Sequence, residues 1–112
     1  MKKYLQNNDL INELLYKILH IIKSCLELEN YEVFLFGSWS DGTAQMTSDL
    51  DVGILGEDKI DLANMEQIIT GVEKLQTLRS IEIVDFFDVT KEFKEIAFKN
   101  KLILYKRKRG AE

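Results

Sequence analysis

Tyr31-Glu32-Val33-Phe34-Leu35-Phe36-Gly37-Ser38, the ten residues 39–48, then Asp49-Leu50-Asp51-Val52-Gly53-Ile54-Leu55: this stretch decides the fold. Residues 31–36 are aromatic and branched, which suits a strand, and the run stops at a glycine. Residues 37–48, Gly-Ser-Trp-Ser-Asp-Gly-Thr-Ala-Gln-Met-Thr-Ser, are small and polar with two glycines and form a loop with room for one helical turn. Leu50–Leu55 is a second strand, closed by a turn at Gly56-Glu57-Asp58-Lys59. Alternate side chains of a strand face opposite ways, so Asp49 and Asp51 share one face while Leu50 and Val52 share the other. Two carboxylates so placed repel each other unless a cation sits between them.

The flanking segments supply the rest of the domain. From Asp9 to about Leu28 apolar residues recur every three or four positions, giving one amphipathic helix capped by Asn8 or Asp9, with Leu14, Ile18, Ile22 and Leu26 as a core stripe. That helix is apolar on more than one side, which leaves surface for a partner. Asp61 caps a second helix whose expected buried stripe is Leu62, Met65, Ile68, Ile69, Val72 and Leu75. Gly71 within it is a weakness of about 1 kcal/mol relative to Ala. Ser80–Phe87 is a third strand, Thr90–Lys99 a helix capped by Thr90, and Leu102–Tyr105 a short last strand. The order αββαβαβ predicts an α/β (α+β) domain with a mixed sheet and helices mainly on one face. Strand order does not follow from the pattern.

The residues around the loop point to phosphate and cation chemistry. Hard cations such as Mg²⁺ are held by one or two carboxylates together with substrate phosphates. Asp85 is expected as a third ligand, because a carboxylate in the apolar run 81–87 is costly unless it is paired or bound to metal. Glu82 alternates with Ile81 and Ile83 and so faces away from them, into solvent or a partner. Asp88 suits a turn or a helix cap. Gly37 lets backbone amides approach a phosphate closely, and Ser38 adds a hydroxyl donor. Trp39 either stacks on a base or covers a small core. His20, the single histidine, belongs to the surface or the packing of the first helix.

Composition narrows the classes of function. Residues 1–112 form one expected domain, with 106–112 as a flexible basic tail. At 46% hydrophobic and 30% charged residues the chain is too apolar to be disordered. Its formal charge of −4, from 15 basic and 19 acidic residues, excludes a general attraction to nucleic acid. Lys106, Arg107, Lys108 and Arg109 are the one cluster of a single sign. Cys25 is alone, so no intrachain disulfide forms, and neither a signal peptide nor a membrane span is legible. The expected compartment is the cytoplasm.

Phe36-Gly37-Ser38, ten residues, Asp49-Leu50-Asp51 and then Val84-Asp85 resemble the signature of the polymerase-β-like nucleotidyltransferases. The short chain resembles their minimal (MNT) branch, over Tyr31 to Tyr105. The resemblance implies transfer of a nucleotidyl group, AMP, from a nucleoside triphosphate, ATP being favoured. It places Gly37, Ser38, Asp49 and Asp51 on the nucleotide, and Asp49, Asp51 and Asp85 on two Mg²⁺ ions, with Mn²⁺ as a substitute. It departs at Trp39 and Asp41, where many members of the branch resemble Gly-Ser-Arg-x-Arg-Gly, so this loop lacks basic help for the phosphates. Lys74, Arg79 and the basic tail are the remaining candidates for that help.

Within the minimal branch the resemblance implies a toxin–antitoxin pairing with a HEPN-domain protein, in a hetero- or homo-oligomer. The acceptor is then a hydroxyl on that partner, because so short a chain has no acceptor-binding domain of its own. A function of another class is an antitoxin that works by occlusion, its nucleotide pocket vestigial or regulatory. A phosphatase built on Asp-x-Asp ranks last, since the Gly-Ser loop would have no role.

Overall fold

The computed structural model describes residues 5, 8–42, 44 and 48–108. Strand β1, Tyr31–Phe36, is central, and its alternation sorts the whole core. Val33 and Leu35 are fully buried on one face, and Phe34 and Phe36 are buried on the other. Strand β2, Leu50–Gly56, pairs antiparallel with β1, so that Phe36 stands opposite Asp51 and Tyr31 opposite Gly56. Strand β3, Ile81–Asp85, runs parallel to β2, and β4, Leu102–Tyr105, runs antiparallel to β1. The order across the sheet is β3-β2-β1-β4. This mixed arrangement agrees with the expected fold class.

Two helices cover one face. Helix α1, Asp9–Cys25, buries Ile11, Leu14, Leu15, Ile18 and Ile22 against Val33, Leu35, Leu50, Val52 and Ile54. It ends sooner than the apolar pattern suggested, and a 3₁₀ turn at Leu28–Asn30 leads into β1. Asn8 holds the N-cap position of α1 and Asp61 that of the helix at Leu62–Glu73, neither with a side-chain cap bond. Asn12, a buried polar residue of α1, is satisfied by the backbone N–H and carbonyl of Leu5. Cys25 packs half-buried against this core, and His20 is exposed.

Helix α3, Leu62–Glu73, makes the crossover that a parallel pair such as β2 and β3 requires. It buries Ile68 and Val72, with Met65 packed beside them. Leu62 is 72% exposed, so the stripe is narrower than expected. Gly71 faces α1: a Cβ there would stand 2.9 Å from Ile21 Cγ2. Its lack of a side chain lets the two helices approach, a role that helix propensity alone does not show.

Helix α4, Lys91–Phe98, lies on the opposite face over an aromatic layer. Thr90 caps it as expected, its hydroxyl accepting from the Phe93 N–H at 3.1 Å. Phe34 and Phe86 meet edge to face at 4.8 Å, Phe36 and Phe86 at 5.1 Å, and Phe98 closes on Phe34 at 5.4 Å. Lys101 lies 4.1 Å above the Phe98 ring and bridges to Glu32. Among the described residues no helix is long and apolar enough to cross a membrane.

Candidate active site

The helical turn α2, Ser38–Asp41, starts directly after β1, and the transition is made by Gly37 at φ 78. A residue with a side chain is strained in that conformation. Space makes the same demand, because a Cβ on Gly37 would lie 2.5 Å from Asp51 Oδ2. The glycine turn and the first half of β2 therefore meet directly. The loop is tied down from inside: the Ser40 hydroxyl donates to the Gly37 carbonyl at 2.9 Å, and Ala44 N–H to the Ser38 carbonyl at 3.0 Å. Trp39 turns into the α1 side of the core, 9% exposed, with its indole N–H donating to the Ser48 carbonyl at 3.1 Å. It is a core residue and not a base-stacking one.

Asp49 and Asp51 lie on the aromatic side of the sheet, while Leu50, between them, is fully buried on the other side. Asp49 is exposed and Asp51 is half-buried. The parallel register sets Glu82 of β3 beside Asp51. Partial burial, and then the nearby charges of Glu82 and Asp49, hold the Asp51 carboxyl above its ordinary 3.8. Three acidic groups, Asp49, Asp51 and Glu82, thus share one patch of the sheet.

Asp85 does not join them. It pairs with Ile54, three residues further along β2, which turns it to the face that α1 and α3 cover. There its carboxylate accepts from Ile60 N–H at 2.9 Å and Phe87 N–H at 3.0 Å, closing the turns before α3 and after β3. The third-ligand role expected for Asp85 is corrected by this register. Asp85 is half-buried, and its partners are backbone amides. Glu82 was legible as facing away from the core, but its coincidence with Asp51 depends on how β2 and β3 align. Asp88, expected in a turn or cap, pairs with Lys59 at 2.8 Å on the surface.

Among the described residues no three carboxylate, histidine or cysteine side chains are grouped closely enough to hold a metal ion by themselves. A hard cation is commonly held by only one or two carboxylates, with phosphate oxygens and water completing its shell, and Asp49, Asp51 and Glu82 are the carboxylates at this spot. Ser38 is half-buried beside it. A cavity of about 280 Å³ opens against Gly37 and Asp51 beneath α4. A larger groove of about 460 Å³ runs between α1 and residues 76–79, on the other face of the sheet.

Among the described residues none of the candidate basic side chains lines the cavity at Asp51. Arg79 lies 5.7 Å from the Trp39 ring, on the α1 side. Because β4 runs against β1, the basic segment leaves the sheet at the Tyr31 end: Lys108 N–H donates to Glu29 at 3.1 Å, and Arg107 shares a groove with Tyr31, Glu57 and Asp58. Arg109 lies outside the described residues.

Residues 16–110 match the family model described as Polymerase beta, Nucleotidyltransferase. The chain is 25% identical over 96 residues to the "Probable protein adenylyltransferase MntA" of Haemophilus influenzae, covering 84% of each. It resembles a crystallised toxin–antitoxin bound to AMP-PNP, with a TM-score of 0.60, 19% identity, and 81% of this chain and 72% of that chain covered. It also resembles the MNT antitoxin complex with tri-AMPylated HEPN toxin from Shewanella oneidensis, with a TM-score of 0.58 and 16% identity over 83% of this chain and 70% of that one.

Proposed function

Because this chain belongs to the polymerase beta nucleotidyltransferase family, we propose that it transfers AMP from Mg–ATP to a hydroxyl of a HEPN-domain partner, as an antitoxin that modifies its toxin. The observation that carries the reading is the meeting of the Gly37 turn with Asp51, beside Glu82 and Asp49. Phosphate and metal would share that spot. The naming of the relatives as an adenylyltransferase and as MNT antitoxins of HEPN toxins supports the choice of AMP and of partner.

Each residue has a task in this account. Gly37 brings backbone amides close to the triphosphate, and the Ser38 hydroxyl donates to a phosphate oxygen. Asp49, Asp51 and Glu82 would hold the two Mg²⁺ ions, or Mn²⁺ in their place. Bound there, the ions supply charge neutralisation for the pyrophosphate leaving group and acidify the acceptor hydroxyl. By fixing where the ions would sit, the carboxylates would help to align the acceptor with the α-phosphorus, and such alignment can supply a large share of the rate. The acceptor oxygen bonds to the α-phosphorus, the bond to the bridging oxygen breaks, and pyrophosphate departs with the acceptor's proton passing to solvent or base.

Pyrophosphate release tests the reading. With ATP, Mg²⁺ and the HEPN-domain protein, the wild type should release pyrophosphate and Asp51→Asn should not. Equal release by both would refute it. A second reading, occlusion without turnover, is favoured by the lack, among the described residues, of a basic side chain around the cavity and by the burial of Trp39. Inhibition of the partner with no pyrophosphate released would select it.

A further inference from the structure

The cavity beneath α4 is contiguous with the groups assigned to the phosphates, yet its walls suit no phosphate. Gly37 and Asp51 form one side, Phe36 the floor, and Phe93 and Ile96 of α4 the far wall, with Asn100 at the rim. Phe36 is buried and meets Phe93 edge to face at 5.9 Å. Phe93 is 40% exposed and Ile96 is 67% exposed, both large apolar side chains left uncovered beside a charged site. Asp51 is the one charged side chain lining it among the described residues. An ionic occupant would gain little there, whereas a flat heterocycle would cover the uncovered carbon and leave its polar edge to Asn100.

We infer that this cavity is the nucleobase subsite and that Asn100 sets the choice of base. The inference rests on the proposed nucleotidyl transfer, which puts the triphosphate at Gly37 and the cations at Asp51. The base then hangs from the α-phosphate by one ribose, into the space that begins at those residues. A volume of about 280 Å³ leaves room for a purine and part of its sugar. The amide of Asn100 offers a donor and an acceptor side by side, and an asparagine in that role matches the N6 and N7 edge of adenine. Guanine presents an acceptor in place of the N6 donor, so the same amide discriminates against it. Phe93 provides the stacking surface, which is tolerant of base identity, and Asn100 provides the selection.

Calorimetric titration of the full chain with Mg–ATP, Mg–GTP and Mg–tripolyphosphate separates the parts. The wild type should bind Mg–ATP more tightly than the other two. Phe93→Ala and Ile96→Ser should each weaken Mg–ATP, Phe93→Ala by about tenfold as for loss of one aromatic stacking partner, and leave Mg–tripolyphosphate within twofold. Asn100→Ala should erase the preference over Mg–GTP. Ile96 and Asn100 are exposed, so their variants keep the test valid if Phe93→Ala misfolds. Unchanged Mg–ATP binding, with transfer to the partner reduced, would overturn the inference and give the cavity to the acceptor. Equal losses for Mg–ATP and Mg–tripolyphosphate would also overturn it. A wild type that binds neither would refute the phosphate site itself, and this subsite with it.

Discussion

At the residue scale, three carboxylates divide into two kinds of work. Glu82 stands beside Asp51, while Asp85 serves two backbone amides on the other face. Glu82→Gln should therefore lower transfer on the order of 10²-fold with little change in stability, the scale of one lost electrostatic stabiliser. Asp85→Asn should do the reverse: transfer persists, and the fold loses about 1 kcal/mol because one of the two backbone N–H groups loses its acceptor. Measuring turnover and thermal denaturation of both variants checks the division, and loss of transfer in a fully stable Asp85→Asn would contradict it. Asp51 should show the cost of such a site. Its carboxyl is held above its ordinary 3.8, so the favourable contribution is complete below that value and is lost as pH rises through the raised one. At neutral pH the metal-free protein carries that penalty, and Asp51→Asn should raise its Tm. Half-exposure lets water screen much of the repulsion, so the rise is small, and it should vanish in a melting series taken below pH 3.8. A Tm lowered at neutral pH would contradict the assignment.

At the element scale, the position of Gly71 sets how closely α1 and α3 pack. Helix propensity alone says that Gly71→Ala gains about 1 kcal/mol. The added Cβ would stand 2.9 Å from Ile21 Cγ2, a branch atom with little freedom to withdraw, so the gain should be cancelled or reversed. Thermal melting decides, and a Tm raised by several degrees would show that the helices are not in close contact. The elements themselves were readable in the sequence because each has a strong period: β1 and β4 are found where the pattern placed them, and α1 starts there but ends at Cys25. What was not readable depends on alignment between elements. The period of two placed Asp49 and Asp51 together, since both lie in one segment. The pairing of Asp51 with Glu82 joins two strands separated by a helix, and nothing local to either strand encodes it. Leu62 and Ile69 were expected in the core, but α3 meets its neighbours along a narrower line than its apolar composition allows. Trp39 had two readings from sequence, and only its place on the α1 side of the sheet chose between them.

At the scale of the whole molecule, the sheet separates stability from chemistry. One face carries the α1 and α3 core. The other carries the phenylalanine layer, which fixes Phe36 and so the Gly37 turn that follows it, and here the acidic patch and the cavity lie together. The described part of the basic segment after β4 leaves from the opposite end of the sheet, away from the cavity at Asp51. The central claim is that the acidic patch of Asp49, Asp51 and Glu82 drives transfer of AMP to a HEPN-domain partner. Intact-mass spectrometry of that partner, purified after co-expression with this chain, tests it most directly. With the wild type the partner should gain one or more AMP masses, with Asp85→Asn it should still gain them, and with Asp51→Asn or Glu82→Gln it should not. A partner of unmodified mass that is nevertheless inhibited by the wild type would contradict the claim.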